Sequence, residues 1–227
     1  HSLGILVGVL GVWGIYTNIL PQPVFAQMIQ GDGTTPTTPV SCAASCTIDG
    51  GTQVGNNLLH SFSQFSIDPG QSVYFTDPGV VNILTRVTGI SPSDIQGRLG
   101  VTGAANLFLI NPNGVTFGPN ASLDVPGSLV VTTANAIRLQ NGDVFSANAA
   151  DPLPSQVLNV NPSALLFNQI AAQSITNQAI LQVPNDRSLV LVGGNLTLNG
   201  GQVKAPRGRV ELARVAGATG SNPSEVG

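Results

Sequence analysis

The fold of this 227-residue chain is decided by the stretch ANLFLINPNGVTFGPNASLDVPGS, which runs from Ala105 to Ser128. Apolar residues recur at every second position over short segments, as in Leu107 and Leu109, and this spacing is typical of β-strands. Sharp polar corners rich in Asn, Pro and Gly separate the segments. Strands this short, with no helix between them, predict a chain that winds around one axis.

A weak repeat extends beyond this stretch. Leu109 and Leu129, and then Leu189 and Val210, occupy comparable strand positions about twenty residues apart. Such a period predicts coils that pair with one another through their backbones, with asparagine ladders at the corners. The predicted fold is all-β, a right-handed parallel β-helix (solenoid) of about eight to ten coils.

Two regions fit the repeat less simply. Residues near 141–186 break the period, and the stretch 148–154 predicts an excursion with short extra antiparallel strands or a hairpin packed on the coils. The apolar residues between Ile83 and Ile90 are compatible with a short helical turn or with another strand pair.

Charged residues make up only 8 % of the chain, and the formal net charge is −3. Such a surface offers no basic field for nucleic acid or acidic membranes, so no nucleic-acid partner is expected. The 27 glycines and 16 prolines predict many turns, which agrees with an all-β chain.

The N-terminal residues have the pattern of a secretory signal peptide. Residues 3–20 are almost wholly apolar, and the modest side chains at Val24 and Ala26 fit cleavage between Ala26 and Gln27. We therefore predict a signal peptide at residues 1–26. A membrane anchor is the alternative, since the apolar run approaches the length that spans a bilayer.

The next part of the chain, residues 27–46, is rich in Gly, Thr and Pro and is expected to be flexible; we call it the leading segment. It carries the only cysteines, Cys42 and Cys46, and an isolated pair in a secreted chain most simply forms a disulfide. An extended strand would hold the two Cα atoms about 13 Å apart, so the bond requires residues 43–45 to turn. A metal site is the alternative, but zinc prefers four ligands.

No set of residues for catalysis stands out. The Asp residues mostly neighbour Pro, Gly or Asn, where turn formation explains them, and His60 lies among apolar residues. A nucleophile elbow of the Gly-x-Ser-x-Gly type and a glycine-rich phosphate loop are both missing from the sequence. We therefore expect neither an enzyme nor a bound cofactor or metal. The alternatives are a carbohydrate-active β-helix enzyme and a purely structural surface-matrix protein.

Ordered blocks of sequence resemble one known family. The central block is Asn111-Pro112-Asn113-Gly114-Val115, and Phe117-Gly118 and the residues 121–125 follow it. Further blocks lie upstream, at 60–65 and 82–89, and downstream, at 189–194 and 208–212. Together they resemble the two-partner secretion (TPS) domain, which begins large exoproteins of the filamentous haemagglutinin type. Thr76-Asp77-Pro78-Gly79 stands roughly where some members carry Asn-Pro-Asn-Leu.

The resemblance implies a domain organisation and a function. Residues 47–215 would form the TPS β-helix domain, and residues 216–227 would be a linker toward a downstream exoprotein or adhesin. The domain would direct secretion of a Gram-negative exoprotein to the cell surface or beyond, through the periplasm.

The resemblance also implies a partner, an outer-membrane β-barrel transporter with periplasmic POTRA domains. The TPS domain would be recognised by these POTRA domains and would nucleate β-helix folding outside the cell. Asn111, Pro112, Asn113 and Gly114 would serve transporter recognition or form a folding corner. Downstream regions would later contact a host cell, a neighbouring cell or a matrix surface.

Overall fold

The computed structural model describes residues 29–38, 42–154, 162–167, 173–215 and 224–226. All regular secondary structure within these ranges consists of β-strands. The described residues contain no helix with the length and apolar character that a membrane span requires. The signal segment expected at 1–26, with its cleavage position between Ala26 and Gln27, lies outside the described residues.

The largest sheet joins one strand from each turn of a spiral. Its parallel strands follow one another in chain order: β4 (Asn57–Phe65), β6 (Asn82–Val87), β9 (Asn106–Ile110), β12 (Leu129–Thr132), β18 (Leu189–Gly193) and β21 (Val210–Arg214). Each turn thereby satisfies the backbone N–H and C=O groups of the next. The predicted parallel solenoid is confirmed, and the segment 82–87 is a strand rather than a helical turn.

Shorter parallel strands complete the other sides of each turn. One side carries β7 (Ser93–Ile95), β10 (Val115–Phe117), β16 (Ile175–Asn177) and β19 (Leu196–Leu198). Another carries β2 (Ser45–Ile48), β5 (Ser72–Phe75), β8 (Arg98–Val101) and β11 (Ser122–Asp124). In the last turns the pair β17 (Ile180–Gln182) and β20 (Gln202–Lys204) takes the corresponding place in chain order.

The register aligns apolar residues of successive turns into buried columns. Leu189 pairs with Val210 as expected, but Leu129 pairs with Leu107 and not with Leu109, because the turn between them is two residues longer than the expected repeat. One inward column contains Leu58, Ile83, Leu107, Leu129 and Leu189, all of them buried. Stacking like residues on like residues removes this apolar surface from water.

A ladder of asparagines runs beside the core, as the sequence predicted. Asn82 Nδ2 donates to Asn57 Oδ1 at 2.9 Å, and Asn106 Nδ2 donates to Asn82 Oδ1 at 3.0 Å. Asn106 Oδ1 then accepts the Ser128 backbone N–H at 2.9 Å. These bonds link the first four turns at one corner and satisfy amides that the fold buries.

An antiparallel hairpin layer covers the outer face of the large sheet. It consists of β13 (Ala136–Leu139), β14 (Val144–Ser146) and β15 (Pro162–Phe167). Ile137 and Phe145 are buried against outward-facing residues of the solenoid, such as Leu84. The predicted excursion is therefore present, but it begins at Ala136.

This excursion also explains why the solenoid is shorter than expected. The large sheet contains six parallel strands, about six turns instead of eight to ten, because the segment between β12 and β16 leaves the spiral. A further strand, β22 (Ser224–Val226), pairs antiparallel with β15, so part of the region expected to be a linker belongs to this layer.

The leading segment differs from the flexible stretch that its composition predicted. Its strand β1 (Ile29–Gly31) pairs antiparallel with β4, and β2 begins at Ser45, before the domain boundary expected at residue 47. The strand β3 (Thr52–Val54) also pairs antiparallel with β4. Among the described residues no solenoid turn precedes the first one, and these antiparallel strands complete its backbone bonding instead.

Arg86 connects three parts of the chain although its side chain is fully buried. Its Nε donates to Ser61 Oγ at 2.6 Å and its Nη2 donates to Thr34 Oγ1 at 3.0 Å. Its Nη1 donates to the Ser146 carbonyl in the hairpin layer, and the guanidinium carbon lies 5.1 Å from the centre of the Phe145 ring. The arginine therefore joins the solenoid to the leading segment and to the hairpin layer.

A relay of hydrogen bonds connects this arginine to Asp32. Ser61 Oγ donates to Asp32 Oδ2 at 2.6 Å, and Thr88 Oγ1 donates to the same oxygen at 2.7 Å. Burial acts to raise the pKa of Asp32, but the hydrogen bonds outweigh burial and hold this pKa below its ordinary value. Burial lowers the pKa of Arg86, and the negative charge of Asp32 opposes that effect. A paired carboxylate makes a buried guanidinium tolerable.

His60 occupies an inward position of the first turn and is fully buried. Its ring packs against Phe62 and Phe75, and its Nδ1 lies 3.0 Å from Thr37 Oγ1 of the leading segment. Burial lowers the pKa of His60 to about 4, and the negative charge of Asp49 opposes the shift. The histidine is therefore a neutral part of the core, as its apolar neighbours in the sequence suggested.

The buried histidine predicts a specific loss of stability in mild acid. The unfolded chain binds a proton on His60 below about pH 6.5, whereas the folded state does so only near pH 4, so the free energy of unfolding falls between these values. The total loss is about 3 kcal/mol, with a slope of up to about 1.4 kcal/mol per pH unit. Urea unfolding of the wild type and of His60→Gln across this range measures the difference. A slope in His60→Gln as steep as in the wild type would contradict the prediction.

The buried arginine predicts a second effect. Arg86→Met removes the donor to the buried Ser61 Oγ and to the partly buried Thr34 Oγ1 and Ser146 carbonyl, so we expect a loss of about 3–5 kcal/mol in the free energy of unfolding. Arg207→Met is the matched control, because the Arg207–Asp186 ion pair is 69 % and 66 % exposed and contributes about 0–1 kcal/mol. Denaturant unfolding measures both variants, and an equal loss in the two would refute the role of Arg86.

Candidate functional site

The Asn-Pro-Asn-Gly corner, Asn111–Gly114, connects β9 to β10. The Asn111 N–H donates to the Thr132 carbonyl of the next turn at 3.0 Å, and the Gly114 N–H donates back to the Asn111 carbonyl at 3.1 Å. Gly114 has a φ of 111°, which L side chains rarely adopt, and a Cβ there would lie 3.2 Å from the Ser174 carbonyl oxygen. The glycine is therefore required by the shape of the corner.

Both asparagines of the corner bind the loop of the turn before it. Asn111 Nδ2 donates to the Ser91 carbonyl at 3.1 Å and to Ser93 Oγ at 3.0 Å. Asn113 Nδ2 donates to the Gly89 carbonyl at 2.7 Å, and the Asn113 N–H donates to Asn111 Oδ1 at 2.9 Å. The two side chains therefore fasten one turn to another.

Most of the corner is inaccessible in the folded domain. Asn111, Pro112 and Gly114 are buried, and only Asn113 is partly exposed. The structure thus places the four predicted residues together in one corner, and the side chains of Asn111 and Asn113 link this corner to the preceding turn.

A polar cleft of about 330 Å³ lies beside the corner. We call it the corner cleft; its walls come from the loop after β6, from the corner itself and from the hairpin layer. Thr88, Gly89, Asn113, Asn148 and Asp151 are among its lining residues. The sequence did not predict this cleft, because the hairpin layer that forms one wall follows the corner by more than twenty residues.

The segment Thr76-Asp77-Pro78-Gly79 forms another braced corner. The Asp77 carboxylate accepts the backbone N–H groups of Gly79 and Val80 at 2.8 Å and 2.9 Å through Oδ1. Its Oδ2 accepts the Ala105 N–H of the following turn at 3.1 Å. An aspartate at this corner therefore links neighbouring turns with its carboxylate, as Asn111 and Asn113 do elsewhere with their amides.

Cys42 and Cys46 lie at a different side of the spiral from the corner cleft. A disulfide joins them, with 5.4 Å between the two Cα atoms, and residues 43 and 44 form a bend before β2 begins. Gln71 Nε2 donates to the Cys42 carbonyl at 2.7 Å, which ties the small loop to the corner before β5. Within the described ranges, no group of three or more His, Cys, Asp or Glu side chains is placed to hold a metal ion.

Two residues near the corner were not assigned a role from the sequence. Arg86 lies in the block 82–89 that resembles the family. Its contacts are to residues distant in the chain, so the sequence around Arg86 does not reveal these contacts. Ile90 is an isolated large apolar residue between Gly89 and Ser91-Pro92. A single large apolar residue among turn-forming residues is the sequence pattern that could have identified Ile90 as exposed.

Part of the chain is similar in sequence to a known protein. A heme/hemopexin-binding protein of Haemophilus influenzae is 34 % identical over 111 residues, which make up 46 % of this chain and 12 % of that protein. The chain therefore corresponds to only a small part of that relative's length.

Two solved structures are also similar. The HMW1 secretion domain from Haemophilus influenzae matches with a TM-score of 0.56 and 22 % identity, over 88 % of this chain and 49 % of that one, which shows a shared fold. The filamentous hemagglutinin secretion domain aligns with a TM-score of 0.41 and 16 % identity, over 84 % of this chain and all of that one.

The family profile covers most of the chain. The profile of the TPS secretion domain matches residues 27–224, which include the leading segment, the whole solenoid and the hairpin layer. This family is one of secretion domains and is not known as an enzyme family. The chain belongs to the TPS secretion domain family.

Proposed function

We propose that this domain directs the export of a larger exoprotein by binding the periplasmic POTRA domains of an outer-membrane β-barrel transporter. The observation that carries the proposal is the family match over residues 27–224, because proteins of this family are secreted with a transporter partner. After removal of the signal peptide at Ala26, the chain reaches the transporter from the periplasm while it is extended or partly folded. Its scarce charge leaves hydrogen bonding and apolar contact as the main forces of recognition.

The two ends of the solenoid support a second part of the function, the nucleation of folding outside the cell. At the start, β1 and β3 pair with β4 and cover the first turn. At the other end, β21 pairs with β18 on one side only, among the residues that the structure describes. One end is therefore closed, and the other presents an open strand edge.

The open end also exposes apolar side chains. Val210 and Leu212 are 41 % and 43 % exposed, although they continue the inward columns of Leu189 and Leu191. A further turn stacked on β21 would cover both side chains and complete the backbone bonding of this edge. The end of the domain thus has the shape of a template on which downstream turns of the exoprotein fold.

Transporter dependence separates this function from an enzyme or a purely structural surface protein. Export of the full exoprotein should be lost in cells that lack the transporter. Asn111→Ala combined with Asn113→Ala should also reduce export strongly, because the corner loses its bonds to the loop of the preceding turn. Asn120→Ala is the matched control, because Asn120 is an exposed asparagine in the neighbouring corner Gly118–Asn120. Immunoblots of medium and periplasm measure export, and full export without the transporter would refute the proposal.

The templating role predicts a defect that begins after the domain. In the full exoprotein, Leu212→Asp places a charge on the open end, so downstream turns should fail to stack and become sensitive to protease. Val81→Asp is the control, since Val81 is 45 % exposed but lies in the first turns. Limited proteolysis of the secreted protein measures the length of the resistant fragment. Equal resistance downstream in both variants would exclude templating by this end.

A further inference from the structure

Ile90 is the most exposed large apolar residue in the described part of the chain. It is 93 % exposed, whereas Ile180, the next, is 56 % exposed. Single apolar residues on a surface are common and by themselves need no explanation. The loop of Ile90 is anchored on both sides, and this rigidity is what distinguishes it.

The anchors are specific hydrogen bonds to the residues on either side of Ile90. The Gly89 carbonyl accepts from Asn113, and the Ser91 carbonyl accepts from Asn111. The Thr88 N–H donates to the Phe62 carbonyl at 2.8 Å, and a Cβ at Gly89 would collide with the Ser63 carbonyl. The backbone around Ile90 is therefore held against the solenoid while its side chain points to solvent.

These anchors join residues that are close in the sequence. The side chains of Asn111 and Asn113 reach back only 20 and 24 residues, to Ser91 and Gly89. Closing a loop of this length costs little compared with assembling the whole domain. The loop and its corner can thus form in a partly folded chain as well as in the finished solenoid.

We infer that Ile90 is the side chain that enters an apolar pocket of the transporter, and that Asn111 and Asn113 act as positioning residues that present it. This inference rests on the proposed function and adds a contact residue to it. The corner cleft begins at Thr88 and Gly89, next to Ile90, and is polar. The partner surface that fits is therefore a small apolar pocket with a rim of hydrogen-bonding groups.

A pre-positioned side chain loses little conformational freedom on binding, which favours such a contact. Asn111 is buried and Asn113 is partly exposed, and both hold the loop in place. The corner therefore contributes to recognition of the transporter without contacting it. The Asn-Pro-Asn-Gly residues can remain mostly covered, because the recognition surface is the loop that they hold.

The test uses the purified domain and the purified periplasmic region of the transporter as the binding probe. Ile90→Ser should weaken binding by about tenfold or more, because an apolar side chain no longer leaves water on binding. Ile90→Leu should bind nearly as well as the wild type, and Val81→Ser should bind equally. Ile90→Ser and Ile90→Leu should keep the thermal unfolding midpoint of the wild type, since Ile90 is 93 % exposed. Val81 is 45 % exposed, so binding by Val81→Ser is measured at a temperature at which this variant is fully folded.

Asn113→Ala tests the positioning role separately. It should weaken binding and speed amide hydrogen exchange at residues 89–91, whereas Ile90→Ser should weaken binding and leave that exchange unchanged. Binding of Ile90→Ser equal to that of the wild type would overturn this inference and leave the proposed function standing. Failure of the wild-type domain to bind the periplasmic region, both in its native state and when kept partly unfolded in urea, would overturn both.

Discussion

The structure depends on backbone pairing between successive turns of the solenoid. No turn can complete its own backbone hydrogen bonds, so each turn is stabilised by its neighbours. Within the described ranges, the first and last turns each lack one neighbour, and their outer strand edges need other partners. Antiparallel strands of the leading segment and of residues 52–54 close the first turn. The last turn keeps a free edge in β21 among the described strands, with Val210 and Leu212 partly uncovered. This asymmetry between the two ends is what the proposed templating of downstream turns depends on.

The first turns differ from the later ones in the polarity of their interior. His60 and Thr85 occupy the inward column that continues with Leu109, Val131 and Leu191. His60 meets Thr37 of the leading segment, and Arg86 joins the same segment to the hairpin layer. These polar contacts are directional, so they define where the leading segment and hairpin dock on an otherwise uniform stack.

The Asn-Pro-Asn-Gly corner combines structural and functional constraints at one place. Its asparagine amides are engaged with the loop of the preceding turn, and its glycine adopts a conformation closed to other residues. The corner is thus the means by which a regular spiral presents an irregular, rigid loop beside a polar cleft. The proposed recognition by a partner rests on this loop, because it differs from the repetitive strands around it.

The sequence by itself determined the all-β solenoid, the corners, the asparagine ladder and the family, because these features follow from short local motifs and from their recurrence once in each turn. It did not determine the register of Leu107 on Leu129, which depends on how many residues each turn contains. Composition also suggested a flexible leading segment, yet this segment pairs with β4. Only the tertiary structure decided that pairing, the corner cleft and the contacts of Arg86, because each joins segments whose proximity arises from packing between distant parts of the chain.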